Sequence, residues 1–293
     1  MSKTQFEHNI FEYGGYDLEL YFVKEVVGLD SLHYGYFEPG DALTMDALRR
    51  AQARYTETLA DLLPADVTRV LDVGCGVGDI ARAMAGRGKT VVALSPDRNH
   101  GRYLEGSHPR ITFVNRRFED HSNAEPVDLV LMSESQNYFE TDAGLAQCRK
   151  HLRPGGYLLV SGMFVKEPCE EFKDIVNAEA PYFAAAAKQG FQLLERRDIT
   201  DQVVPTLQFS LQALAQYVES VPRMLDHYMR ARSPVKHWLL KTFFGRQLRD
   251  YQKTIEYYKT RMDADLFKRR VRYLRVLFRH GPSPALADGG AGA

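Results

Sequence analysis

Residues 69–88, RVLDVGCGVGDIARAMAGRG, constrain this chain more than any other stretch. A short apolar run, Val70–Leu71–Asp72–Val73, ends at three glycines, Gly74, Gly76 and Gly78. A helical pattern follows, with Ile80, Ala81 and Met84 on one face. The order is therefore strand, glycine turn, helix. Glycines let backbone approach a ligand closely, and the helix that follows presents unpaired N–H groups at its start. The spacing departs from the dinucleotide fingerprint G-x-G-x-x-G, because the third glycine falls one residue early.

The alternation continues downstream. Residues 89–95, 110–116, 127–134 and 156–164 read as strands, and 141–152 as a helix closed by Pro154–Gly155–Gly156. Short links between such elements predict an open, mainly parallel sheet with helices on both faces. Ligands in sheets of this kind bind beyond the C-terminal strand ends, here Gly74, Ser95, Phe118 and Ser133–Glu134. Helix, turn and strand recur over 180–199, the strand covering 191–199.

The flanks differ. Residues 1–40 are rich in aromatics, and the loop SLHYGYFEPGD gathers His33, Tyr34 and Tyr36 between helical segments. An amphipathic helix over 41–63 has Leu48, Ala51, Tyr55 and Leu59 at helical spacing. From about 207 the pattern is helical almost throughout. Arg223–His280 hold 16 Lys+Arg against 5 Asp+Glu, in a chain whose formal net charge is zero. These observations predict a lid over 1–64, a core over 65–206, a basic helical cap over 207–280 and a disordered tail over 281–293. Three scattered cysteines without a CxxC pair fit a reducing compartment and frame no metal site. With no apolar leader and no run long enough to span a bilayer, a cytoplasmic location is expected.

The motifs at this spacing resemble class I S-adenosylmethionine-dependent methyltransferases. VLDVGCGVGD (70–79), VDLVLMSES (127–135) and HLRPGGYLLVSGMF (151–164) match the family's first, fourth-strand and fifth-strand motifs. The resemblance implies a Rossmann-like, mainly parallel seven-stranded sheet, an α/β fold, with added N-terminal helices and a C-terminal helical cap. It implies S-adenosylmethionine as cofactor, with Gly74, Gly76 and Gly78 under the methionine part and Asp72 in support. By the same resemblance Phe118 and Glu119 face the adenine, and Met132, Ser133 and Glu134 pass under the cofactor. The family's acid after the second strand is replaced by Ser95, in a Ser-Pro variant similar to cyclopropane fatty acid synthases, tocopherol methyltransferases and some natural-product methyltransferases. The 1–40 segment is similar to one that covers the cofactor in small-molecule and lipid methyltransferases, which places His33, Tyr34 and Tyr36 on the cofactor and acceptor cavity.

Methyl transfer needs donor and acceptor aligned, and an O- or N-acceptor needs a base. His33 is the first candidate and Glu134 the second. The expected acceptor is a small, fairly apolar molecule, a natural product or an isoprenoid-like lipid. Two alternatives stay open: cyclopropanation of a lipid alkene with the same cofactor, and a non-catalytic cofactor-binding module. Nucleic acid is disfavoured by zero net charge and by SESQNYF after the fourth strand. The basic C-terminal helices suggest a peripheral membrane or homo-oligomer contact.

Overall fold

The computed structural model describes residues 12–13, 16–17, 20, 22–122 and 124–281. Seven strands form one sheet: β1 (Arg69–Val73), β2 (Thr90–Ser95), β3 (Ile111–Asn115), β4 (Val127–Ser133), β5 (Leu152–Val165), β6 (Phe191–Asp198) and β7 (Val271–His280). Their spatial order is β3-β2-β1-β4-β5-β7-β6. Neighbouring strands from β3 to β5 are parallel, and β7 runs antiparallel to both β5 and β6.

Strand periodicity divides the core into two layers. Val70, Leu129, Leu131, Tyr273 and Leu277 face one side, with α1 (Met45–Ala60), α2 (Asp79–Gly86), α5 (Thr200–Ala213) and α8 (Ala264–Arg270) packed over them. Leu71, Val73, Val130, Met132, Leu274, Val276 and Phe278 face the other, under α3 (Thr141–His151) and α4 (Glu179–Lys188). Strands apolar on both faces are what a covered parallel sheet requires.

Strand β7 overturns the expected boundary of the cap. Residues 207–270 are helical, but Val271–His280 enter the sheet between β5 and β6. Arg272, Arg275 and Arg279 make this stretch look like more basic helix, yet its buried residues alternate strictly between the two layers. Of the expected N-terminal helices, Met45–Ala60 is one, and among the described residues before it Phe22–Val26 form a single wide helical turn. The tail beyond Gly281 lies outside the described residues, as does most of 1–21.

Residues 27–44 have no regular structure but are tied down. Tyr36 N–H donates to Ala51 O of α1 (2.8 Å) and Phe37 N–H to Gln202 O of α5 (2.9 Å). Gly35 N–H donates to Thr206 Oγ1 (3.0 Å), and a Cβ at Gly35 would lie 2.7 Å from Ala51 Cβ. Leu29 and Phe37 join Ala47, Leu48 and Ala51 in a small core of their own. The segment is thus a strap held between α1 and α5 across the C-terminal edge of the sheet. Between α5 and α8, the helices α6 (Ser220–Arg232) and α7 (Pro234–Arg261) form a separate arm.

Candidate active site

The cleft opens where β1, β2 and β4 end. It encloses about 760 Å³. Gly74, Gly76 and Gly78 have φ of 75°, 53° and 79°, a left-handed conformation that side chains disfavour. Gly74 N–H and Cys75 N–H both donate to Leu94 O (2.9 and 3.2 Å), which turns the chain away from β2 and opens the cradle. A Cβ on Gly74 would lie 2.6 Å from Ser135 Cβ, so the loops after β1 and β4 meet at van der Waals limits. Gly78 caps the start of α2 and packs on Leu104, without lining the cleft.

Asp72 lies at the floor, 2% exposed, and its Oδ2 has no hydrogen-bond partner. Burial, with the nearby Asp79 charge, pushes its pKa up to about 7. A carboxyl in this state demands a cation or donor from whatever enters the cleft. Asp79 is differently placed. Its Oδ2 receives Ser31 Oγ–H (2.6 Å), Thr56 Oγ1–H (3.1 Å) and His33 Nε2–H (2.6 Å). Those bonds and the His33 charge overcome burial and hold it well below the usual carboxylate range.

His33 donates Nδ1–H to Tyr34 O (2.7 Å) and Nε2–H to Asp79. Burial disfavours the imidazolium, but Asp79 and then Glu134 outweigh it and raise its pKa. With both nitrogens acting as donors, the ring is a buried cation that ties the strap to the glycine turn. That arrangement leaves no lone pair for proton abstraction, so the expectation of His33 as first-choice base does not fit the geometry.

Glu134 is the one non-glycine residue with positive φ, 62°, among the described residues. Its N–H donates to Ser161 O (2.7 Å), and its Oε1 receives Tyr34 N–H (3.0 Å) and Tyr273 O–H (2.5 Å). Burial raises its pKa. Behind it lies a hydroxyl network. Tyr55 OH is 2.9 Å from Tyr273 OH, 2.6 Å from Ser161 Oγ and 3.0 Å from Ser133 Oγ. The Tyr55 ring stacks on His33 at 4.3 Å between centroids and beneath the Arg275 guanidinium at 4.5 Å. Burial pushes the Tyr55 hydroxyl up to about 12 and Tyr273 well above its ordinary value, so both remain protonated donors.

The expected site residues therefore separate. His33, Asp72, Gly74, Gly76, Ser95, Phe118, Glu119, Ser133 and Glu134 all line the cleft. Met132 points into the second core layer because it alternates with Ser133 along β4. Tyr34 and Tyr36 lie behind the cleft wall, Tyr34 against Tyr273 and Tyr36 under Arg275. Ser95 is 2% exposed, and its hydroxyl is used locally, receiving Asp97 N–H (3.1 Å) and facing His100 Nδ1 (2.9 Å). Of the residues after Glu134, Ser135, Tyr138 and Phe139 line the cleft, while Gln136 and Asn137 donate to Met163 O. Asp79, Tyr55, Tyr273 and Ser161 are further members of the site. The signals were present: Asp79 ends the glycine motif, and Tyr55 sits on the buried stripe of α1.

A family model described as a methyltransferase domain matches residues 47–204, more than half of the chain. The chain belongs to this methyltransferase family. The matched span starts in α1 and ends in α5, so it contains the glycine turn, Asp79 and Glu134 but not the strap or β7. Methyltransferase GfsG of Streptomyces halstedii is 27% identical over 231 residues, 69% of this chain and 81% of that protein. The cyclopropane synthase MmaA2 from Mycobacterium tuberculosis superposes with a TM-score of 0.66 at 19% identity, over 95% of this chain and all (100%) of that one. Geranyl diphosphate C-methyltransferase from Streptomyces coelicolor A3(2) gives 0.65 at 15% identity, over 96% and 99% of the two chains. At these identities the two solved structures establish the fold of this methyltransferase, and its chemistry rests on its own residues.

Proposed function

We propose that this methyltransferase uses S-adenosylmethionine to methylate a small, fairly apolar acceptor of the natural-product or isoprenoid-lipid kind. The observation that carries the donor is Asp72, a buried carboxyl with an unpartnered oxygen beside three left-handed glycines. A compact ammonium-bearing chain meets both the electrostatic demand and the close backbone. S-adenosylmethionine, when bound, supplies a methyl group on a sulfonium centre. Asp72, Gly74 and Gly76 would hold its amino-acid part, Asp97 and Asn99 the sugar, and Phe118 with Glu119 the base. A solved structure of a geranyl diphosphate methyltransferase in complex with S-adenosylmethionine shares this fold, with a TM-score of 0.62 at 16% identity.

On the acceptor side this chain supplies a carboxylate and aromatic rings. Glu134 faces the cleft with its basicity raised by burial, which suits a group that takes a proton from the acceptor. The Tyr34 backbone N–H and the Tyr273 hydroxyl hold that carboxylate in one rotamer, and the rings of Tyr34, Tyr55 and Tyr273 form a wall behind it. Their ring faces also tolerate positive charge. The His33–Asp79 pair closes the strap over the turn and excludes water. One neighbour of the same fold is a geranyl diphosphate C-methyltransferase in complex with geranyl diphosphate, an isoprenoid, which supports an acceptor of that class.

Titration calorimetry of the full chain with S-adenosylmethionine and S-adenosylhomocysteine tests the donor. Saturable binding of both is expected, weakened at least tenfold in Asp72→Asn. Absence of binding to either molecule would refute the proposal.

A further inference from the structure

The arm formed by α6 and α7 takes no part in the cleft. It has ten Lys and Arg and three Asp and Glu between Arg223 and Arg261, while the rest of the chain is acidic to the same extent. The molecule is therefore polarised, with its positive end on the arm.

The arm is also apolar where solvent meets it. Along α7, Val235, Trp238, Leu239 and Phe243 follow one another at helical spacing, 70%, 63%, 39% and 71% exposed. The same face continues with Arg246, Arg249 and Lys253, all exposed. One helix stripe thus runs from aromatic and aliphatic groups at the tip of the arm to a row of cations further down. No helix among the described residues is long and apolar enough to cross a membrane.

We propose that this stripe docks the enzyme on an anionic lipid surface. Rings and aliphatic chains at the tip would enter the headgroup boundary, and the cations behind them would pair with lipid phosphates, the combination that holds interfacial helices in place. Charge decides against the main alternative. An arm-to-arm dimer would bring an equally positive arm against this one, where like charges are unfavourable, and a head-to-tail contact would answer the cations but set the apolar tip against an acidic body. A polyanionic nucleic acid would satisfy the cations but give four exposed apolar side chains no partner. The proposal concerns binding alone and stands independently of the acceptor.

The chain contains a single tryptophan, Trp238, so its fluorescence reads the arm and nothing else. The full chain is mixed with vesicles of phosphatidylcholine containing phosphatidylglycerol, and separately with pure phosphatidylcholine. With the anionic vesicles a blue shift is expected, together with quenching by lipids brominated along the acyl chain. Both signals should fade in high salt and be weak on neutral vesicles. Arg246→Gln/Arg249→Gln/Lys253→Gln should lower partitioning about a hundredfold, since each cation near an anionic surface is worth roughly fivefold. Phe243→Ser should lose most of the quenching. Thermal unfolding midpoints of both variants should stay at the wild-type value, because these side chains are exposed. An unshifted spectrum with anionic vesicles overturns the proposal. So does a shift that appears without lipid and grows with protein concentration, which would mark self-association. A shift produced by a soluble polyanion that brominated lipid does not quench would overturn it as well.

Discussion

The Asp79→Asn substitution tests whether the strap is held by a buried ion pair. The Asp79 carboxylate receives three hydrogen bonds on one oxygen, from Ser31, Thr56 and His33. Its side chain is 16% exposed and that of His33 7%. Removing one partner of a buried pair costs about 3–5 kcal/mol when the other must stay charged. The imidazole can instead shed its proton, which caps the loss. An amide oxygen still accepts about one of the three bonds, so two charged hydrogen bonds at about 1.5 kcal/mol each set the loss near 3 kcal/mol. For a domain of this size that is a fall of about 6–12 °C in melting temperature. The pH dependence is the sharper signature. His33 has a raised pKa in the folded state, so the fold holds a proton that the unfolded chain releases near 6.5. Stability from this group is complete below that value and declines as pH rises through the folded pKa, at up to about 1.4 kcal/mol per pH unit. Asp79, with its depressed pKa, contributes fully above 3.8 and loses its contribution only in acid. The pair therefore stabilises most between about pH 4 and 6.5. Asp72, raised to about 7, titrates over part of this range in both proteins, so the pair is read from the difference between them. His151 and His280 are held low by burial and are common to both. Urea unfolding at several pH values should show wild-type stability falling more steeply than that of Asp79→Asn as pH rises past 6.5, because burial alone holds a histidine pKa below that value. If Asp79→Asn stays within about 1 kcal/mol of wild type and keeps the alkaline slope, His33 is not a buried cation and the latch does not exist.

Asp72→Asn should trade binding for stability. The buried carboxylate costs the fold about 4 kcal/mol at pH 8, given a rise from 3.8 to about 7. The variant should therefore unfold at higher urea than wild type at pH 8 but at nearly the same concentration at pH 4, while calorimetric affinity for S-adenosylhomocysteine drops. Gly74→Ala should cost about 1–2 kcal/mol from its left-handed backbone and more from the contact with Ser135, read as lower stability and lost cofactor binding. Glu134→Gly should lower turnover at least tenfold and also lower stability in denaturant unfolding, because the donors it strands at Tyr34 and Tyr273 outweigh the roughly 1 kcal/mol of backbone strain it relieves. Glu134→Gln should lower turnover with cofactor affinity kept within about threefold, a difference of less than ~1 kcal/mol. Equal turnover in either Glu134 variant would remove its proposed role as base.

Elements whose evidence is local were legible in the sequence. The strands β1, β2 and β4 show as short apolar runs, and the glycine turn announces its left-handed backbone through residues that alone adopt it cheaply. Strand β7 was hidden because arginines at positions 272, 275 and 279 imitate a basic helix. Its alternation becomes meaningful only once a sheet is there to have two sides. Losing β7 meant losing Tyr273, and with it the hydroxyl that orients Glu134. Tyr55 was visible as a buried position but not as a polar one, since a helix stripe shows which side chains turn inward and not which hydroxyls meet there. The two acids at the glycine motif make the same point more sharply. Asp72 and Asp79 lie seven residues apart in one motif, yet burial raises the first to about 7 while three donors depress the second. Those donors come from Ser31, His33 and Thr56, two on the strap and one on α1. The strap thus neutralises the acid it touches and leaves the other unpartnered, and that asymmetry directs the remaining electrostatic demand of the turn into the cleft, where a cationic ligand would answer it.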